Sequence, residues 1–186
     1  MRAKDIWDLI LDGVTVLIAV GAAWKAFAEF KLSRIQRKED LRWRQAESAK
    51  TIIDEWMDDK RAYNFCKMIE YDNRSFKNEE GEEFFTDTEF IKEALNDKDE
   101  TTARSKREVD KRCIRDCCDS FLYYTEMMYQ GREGNLYLLE NLIFPLSYYL
   151  KRMQKKEIYG TVKEYASDNR YNGSVKLFGE ILNKGC

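Results

Sequence analysis

Tyrosines and basic residues follow one another in the C-terminal third of the chain. Tyr148, Tyr149, Lys151, Arg152 and Lys155 lie within about two turns of a helix. Aromatic rings can stack on bases and cations can pair with phosphates, so this pattern could bind a nucleic acid or another anionic partner. A helix of the same composition can also bury its rings in a core and keep its cations in water. The five residues are therefore a candidate ligand or partner surface, with core packing as the alternative.

Three cysteines lie close together in the middle of the chain, at Cys113, Cys117 and Cys118. Positions four apart share one face of a helix, so these thiols could form a redox or metal site. The CxxC spacing of zinc sites is missing, and no histidine is present to complete a tetrahedron. Cysteine in an apolar helix stripe is usually a small core residue, and we expect core packing here.

The chain contains no histidine. This excludes Ser-His-Asp and Cys-His catalysis and the zinc chemistry of HEXXH motifs. Phosphate-binding glycine loops and the GxSxG nucleophile turn are also missing from the sequence. The acidic loop at 72–87 could hold a divalent cation, but its spacing differs from that of an EF-hand. We expect a protein that is not an enzyme and that uses no cofactor or metal.

An apolar run near the N-terminus favours a membrane anchor. Residues 13–24 are uncharged, and residues 6–24 would span about 30 Å as a helix, the thickness of a bilayer core. A cleaved signal peptide is the main alternative, because Ala26-Phe27-Ala28 resembles a cleavage site. A buried helix is a third interpretation. We expect a single transmembrane helix.

Small and acidic residues form one seam along this predicted helix. They are spaced alternately four and three apart, the period of supercoiled helices: Asp8, Asp12, Thr15, Ala19, Ala22 and Ala26. Small side chains let membrane helices approach closely, and a carboxylate in a membrane usually faces a bundle interior or a water-filled cavity. The seam predicts a homo-oligomer and raises the hypothesis of a pore.

Basic residues that follow the apolar run predict its orientation. They are Lys25, Lys31, Arg34, Arg37, Lys38, Arg42 and Arg44. By the positive-inside rule, the N-terminus lies outside and the C-terminal domain is cytoplasmic. The same stretch would contact anionic lipid headgroups.

The remaining sequence predicts an all-α fold. We expect a transmembrane anchor over 1–30, a basic juxtamembrane helix over 31–45 and a cytoplasmic helical bundle over 46–186. The anchor should continue as one long helix to about Tyr71, and helical periodicity predicts further helices at 86–96, 105–130, 136–141, 144–168 and 172–183. Phe121, Tyr124, Leu150 and Phe178 lie on apolar faces and are predicted core residues.

Four segments carry a family resemblance: IIDEW at 52–56, CKMIEYDNR at 66–74, IRDCCDSFLYY at 114–124 and FPLSYYLKRM at 144–153. With its N-terminal anchor, the chain resembles small bacterial membrane-anchored helical proteins of unknown function. Some members of this group sit in phage-defence loci. The resemblance implies a bacterial inner-membrane protein and, for those members, an effector triggered by infection.

These observations support two expectations for function. The first is a non-enzymatic, self-associating membrane effector with a sensing or partner-binding domain, which perturbs the membrane or forms a pore in antiphage defence. The second is a membrane tether whose helical domain docks a protein or a nucleic acid without a pore. The expected partners are membrane lipids, further copies of the chain and a protein or nucleic-acid-containing complex, with no small-molecule substrate.

Overall fold

The computed structural model describes residues 3–97 and 105–184, without the side chains of residues 3–16, 18 and 19. The described part contains seven helices and one β-hairpin. Their bounds are α1 Ala3–Asp58, α2 Lys60–Glu70, β1 Arg74–Lys77, β2 Glu83–Thr86, α3 Thr88–Asn96, α4 Lys106–Glu133, α5 Leu139–Lys155, α6 Tyr159–Asp168 and α7 Asn172–Lys184. The predicted all-helical character is confirmed.

The chain divides into two units, residues 1–44 and residues 45–186. The described part of the first unit is helical throughout and belongs to α1. The second unit holds the end of α1, the hairpin and the other helices. The division lies next to the predicted start of the helical domain at residue 46.

The predicted transmembrane helix over residues 1–30 is wrong. Across the described residues, no helix combines the length and the apolar character needed to cross a bilayer. From Lys25 onward, α1 carries a charged residue at least at every fourth position, which interrupts any long apolar run. The predicted helical continuity through residues 31–45 agrees with α1.

Helix α1 stops at Asp58 because Asp59 begins a new helix. Asp59 has an extended backbone, and its carboxylate accepts a hydrogen bond of 2.7 Å from the Ala62 amide, which caps α2. The predicted continuous helix to Tyr71 is therefore two helices. At α3 the cap is Asp87, one residue after the predicted Thr86, and Ser105 caps α4 as predicted.

The acidic segment predicted as a solvated loop forms a β-hairpin. Phe76 faces Phe84 across the two strands, both are buried, and their ring centroids lie 6.1 Å apart. Asn78 organises the turn, because its side-chain oxygen accepts hydrogen bonds from the amides of Glu80 and Glu82. Gly81 adopts φ of 81°, a conformation that suits glycine.

An aromatic cluster forms the centre of the second unit. The Phe121 ring on α4 packs against Trp56, Phe65 and Phe178, with centroid distances of 5.8, 5.4 and 6.1 Å. Phe121, Phe178 and Leu150 are fully buried, as predicted, while Tyr124 is half-buried. Cys117 and Cys118 also lie in the core, whereas Cys113 is half-exposed.

The prediction that Pro145 marks the first turn of a new helix is wrong, because Pro145 lies inside α5, which begins at Leu139. Without an amide hydrogen, Pro145 cannot bond the carbonyl of Asn141, yet the helix continues to Lys155. The break comes later, at Glu157, whose φ of 58° lies in the left-handed region. The predicted helix over 144–168 is therefore divided between α5 and α6.

Candidate functional site

Large apolar side chains are exposed along α1 in the first unit. They are Leu17, Val20, Trp24, Phe27, Phe30, Leu32, Ile35, Leu41 and Trp43. Trp24 is 73% exposed and Trp43 is 76% exposed, whereas Trp56 in the same helix is fully buried. Large apolar side chains exposed in this number are typical of a binding site. We call residues 17–44 the amphipathic segment.

Spacing gives the amphipathic segment an apolar stripe. Leu17, Val20, Trp24 and Phe27 are three or four residues apart, so they share one face of α1. Seven basic residues lie from Lys25 to Arg44, and three of them, Lys31, Arg34 and Lys38, continue the line of the stripe beyond Phe27 at spacings of four, three and four residues. The acidic residues over the same range are Glu29, Glu39 and Asp40. The segment is therefore both apolar and net positive.

Two local contacts modify this charge. The Lys25 ammonium lies 3.8 Å from the Glu29 carboxylate, and both side chains are largely exposed. The Arg34 guanidinium lies 5.8 Å from the centre of the Phe30 ring. Exposed ion pairs contribute little energy, so the segment stays open to a stronger anionic partner.

The predicted small-residue seam can be placed in part. Ala22 and Ala26 are exposed on α1. The side chains of Asp8, Asp12, Thr15 and Ala19 lie outside the described residues. Association through this seam stays a prediction.

The predicted tyrosine and lysine surface is reduced to one stripe on α5. Tyr148, Lys151 and Lys155 are exposed, and Phe144 extends the stripe because it is 88% exposed and lies four residues before Tyr148. We call these four residues the α5 stripe. Tyr149 instead lies in the core, with its ring centroid 5.7 Å from that of Trp56.

Arg152 connects α5 to the end of α2 by a hydrogen bond. Its guanidinium donates a hydrogen bond of 2.9 Å to the Glu70 carbonyl, and the Tyr148 hydroxyl donates one of 3.2 Å to the Glu70 carboxylate. Arg152 therefore has a structural contact, and Tyr148 has its hydroxyl held in place while half of its surface faces solvent.

Sequence reasoning missed an aromatic and cationic group on α2. The Lys67 ammonium lies 5.0 Å from the centre of the Tyr63 ring and 5.4 Å from that of Tyr71, and the Arg74 guanidinium lies 5.1 Å from Tyr71. The signal was the spacing of Tyr63, Lys67 and Tyr71, each four residues apart.

Glu70 links this group to α5 electrostatically. Burial opposes the charged carboxylate, but hydrogen bonds from Lys67 and other neighbours outweigh it and lower the pKa of Glu70. The same hydrogen bond from Lys67 to Glu70, with a contribution from Tyr63, raises the pKa of the lysine. Both groups are therefore charged at neutral pH, and the pair is 3.1 Å apart.

A concave region lies beside the hairpin. This cleft of about 580 Å³ is lined by β2, α3 and the start of α4, and it includes Phe85, Phe90 and Arg107. The Arg107 guanidinium lies 5.1 Å from the centre of the Phe90 ring and pairs with Glu93, so its charge is already engaged. Across the described residues, no group of three or more acidic or cysteine side chains is placed to hold a metal ion.

The amphipathic segment and the α5 stripe are the two candidate binding surfaces, because both expose aromatic and basic side chains. A scan of protein-family models finds no match to this chain, and searches of curated proteins and of solved structures find none either.

Proposed function

We propose that this chain is a non-enzymatic binding protein that attaches to the surface of an anionic membrane through the amphipathic segment. The observation that carries this proposal is an exposed apolar stripe that is followed by an excess of basic residues on the same helix. Helices with this combination lie in the plane of the bilayer interface, with aromatic and aliphatic side chains among the lipid chains. Such attachment needs no helix that crosses the bilayer.

The energies favour this arrangement. Transferring one large apolar side chain out of water contributes about 1.5 to 3 kcal/mol when burial is complete. Each Lys or Arg near an anionic bilayer adds about 1 kcal/mol. Trp24 and Phe27 with Lys31 and Arg34 therefore contribute about 5 to 8 kcal/mol of attraction when fully engaged.

Charge also favours lipid over a second copy at this segment. Two amphipathic segments aligned with each other would bring their basic residues together, and like charges repel. An anionic lipid surface neutralises the same residues. Self-association, a role in phage defence and a cytoplasmic location stay predictions, and none of them is needed for membrane attachment.

The helical domain would present the α5 stripe to a partner. Phe144 and Tyr148 supply aromatic area, and Lys151 and Lys155 supply positive charge at the next positions of the same face. Exposed aromatic residues commonly anchor protein interfaces. The proposed function is therefore that of a tether, in which the chain adsorbs to the membrane surface and its helical domain docks a partner.

Co-sedimentation with vesicles tests the proposal. Full-length protein should bind vesicles that contain phosphatidylglycerol and bind phosphatidylcholine vesicles weakly, with binding to the former reduced by salt. The triple change Lys31→Glu, Arg34→Glu, Lys38→Glu should abolish binding. The matched control Lys151→Glu, Lys155→Glu changes charge on α5 and should leave binding unchanged. Equal loss in both variants, or no binding by the unchanged protein, would contradict the proposal.

A further inference from the structure

A small cleft opens between the start of α2, the turn after β1 and the middle of α4. Its volume is about 170 Å³, enough for a few water molecules or a small reagent. Its lining includes Lys60, Arg61, Lys77, Glu79, Cys113 and Cys117. Two thiols of α4 therefore share a cleft with three basic side chains.

Cys113 differs from the other described cysteines. Cys66, Cys117 and Cys118 are buried, and burial raises the pKa of the Cys66 and Cys118 thiols. Cys113 is half-exposed, and its sulfur lies 3.9 Å from the Lys77 carbonyl oxygen at the cleft wall. A reagent that enters from solvent would meet Cys113 before the other three thiols.

The neighbours of Cys113 act on its thiol in opposite directions, and the Lys77 carbonyl oxygen accepts its hydrogen bond. A hydrogen bond from the Cys117 thiol lowers the pKa of Cys113, although burial and the carboxylates of Asp116, Glu79 and Asp110 oppose it. The same contact raises the pKa of Cys117, which therefore keeps its proton. Lys60, Arg61 and Lys77 also face the cleft, and Arg61 is paired with Glu79 at 3.3 Å.

We propose that Cys113 is a modification site for small hydroperoxides, with Cys117 as the second thiol that completes a disulfide. The inference rests on the cleft and the thiol pair, and it is independent of membrane attachment. Hydroperoxides fit because they are small, uncharged and able to enter a cleft of this volume.

The chemistry has two balanced steps. The Cys113 thiol first releases its proton to solvent, and the thiolate attacks one peroxide oxygen. The O–O bond breaks, and the hydroxide or alkoxide that leaves takes up a proton from solvent, which replaces the one released, to give water or an alcohol. Cys113 is oxidised to a sulfenic acid, and the hydroperoxide is reduced. The Cys117 sulfur then attacks the Cys113 sulfur, so that an S–S bond forms, the S–O bond breaks, and water leaves with the thiol proton.

The second step requires a local distortion of α4. Residues four apart in a helix have Cα atoms about 6 Å apart, within the disulfide range of roughly 4.4 to 6.8 Å, but their Cβ atoms lie about 5 to 6 Å apart and must approach to about 3.5 to 4.5 Å. Cys118, although adjacent to Cys117, is fully buried and lies on another side of α4. Cys117 is therefore the partner thiol.

Mass spectrometry of peroxide-treated protein tests the inference, with dimedone present to trap sulfenic acid. The full chain should carry Cys186→Ala, so that the reaction reports on the four internal cysteines. Cys113 should react about tenfold faster than the same thiol in an isolated peptide of residues 111–119, because the peptide lacks the cleft. Cys117→Ser should raise dimedone labelling of Cys113, and Cys113→Ser should protect Cys117.

Three results would overturn the inference. They are equal rates for the protein and the peptide, first oxidation at a buried cysteine, and unchanged labelling of Cys113 in the Cys117→Ser variant. Circular dichroism checks that each variant is folded. If a serine variant unfolds, the reaction rate of Cys113 in the protein carrying Cys186→Ala, compared with its rate in the peptide, still tests the inference.

Discussion

The Ser120 hydroxyl on α4 donates a hydrogen bond of 2.7 Å to Asp59. The accepting atom is the same Asp59 carboxylate oxygen that caps α2. One side chain thus ends the continuous helix, starts the next one and ties both to α4. The contact also explains why α2 packs closely on α4, since the cap fixes where α2 begins.

Removing this carboxylate should destabilise the domain. Asp59→Ala deletes the helix cap and leaves the Ser120 hydroxyl without its acceptor, which should cost about 1 to 3 kcal/mol. Urea unfolding followed by circular dichroism measures the change. Asp58→Ala, at the exposed neighbouring position, is the control and should change the midpoint little. Equal midpoints for the two variants would show that Asp59 has no special role.

Two glycines of α7 should respond to alanine in opposite directions. A Cβ at Gly173 would collide with Glu126 and Tyr129 of α4, and Glu126 accepts a hydrogen bond of 2.8 Å from the Ser174 amide at the start of α7. Gly173→Ala should therefore destabilise the protein by about 1 to 3 kcal/mol.

Gly179 supplies the matched control for this prediction. It lies in the interior of α7, and a Cβ there meets nothing within 4 Å. Gly179→Ala should stabilise the helix by about 0.5 to 1 kcal/mol, because alanine loses less backbone entropy. Thermal midpoints that moved in the same direction for both variants would contradict the packing of α7 on α4.

Acid should weaken the contact between α3 and α4. The Lys111 ammonium lies 3.2 Å from Glu93, 2.6 Å from Asp97 and 3.2 Å from Glu108. Hydrogen bonds from Arg107 and Lys111 lower the pKa of Glu93 from its ordinary 4.5. A lowered folded-state pKa adds stability above pH 4.5, and that stability is lost as the pH falls through the folded value.

Urea midpoints measured from about pH 7 to about pH 3 check this expectation. The unchanged protein should lose stability as the pH drops below 4.5, and Glu93→Gln should flatten that dependence. Glu164→Gln, exposed on α6, is the control and should keep the original slope. If Glu93→Gln and Glu164→Gln gave the same profile, the Lys111 cluster would not be the source.

Helical periodicity predicted most of the second unit. The buried positions of α4 and α7 recur at three and four residues, so Phe121 and Phe178 could be assigned to the core from spacing alone. The hairpin could not be predicted in this way. Its buried apolar pair, Phe76 and Phe84, is separated by acidic residues that are typical of a solvated loop. Pairing of two strands across a turn is a non-local property that local composition does not show.

The candidate surfaces were partly visible in the sequence. Of the five residues of the predicted surface, Tyr148, Lys151 and Lys155 lie on one exposed face of α5, and their role in binding stays a prediction. Tyr149 is adjacent to Tyr148, and composition does not tell which of two neighbouring rings points inward. In α1, the apolar run predicts a membrane span, but from Lys25 onward the exposed aromatic residues alternate with charged ones.

The depth of Trp24 in a bilayer tests membrane attachment most directly. Trp7→Phe and Trp43→Phe leave Trp24 and the buried Trp56, and a further Trp24→Phe variant supplies the signal of Trp56 alone. With vesicles that contain phosphatidylglycerol and brominated acyl chains, we expect Trp24 emission to shift to shorter wavelength and to be quenched. Emission from Trp24 that stays unshifted and unquenched, at lipid concentrations that saturate any binding, would contradict attachment through the amphipathic segment.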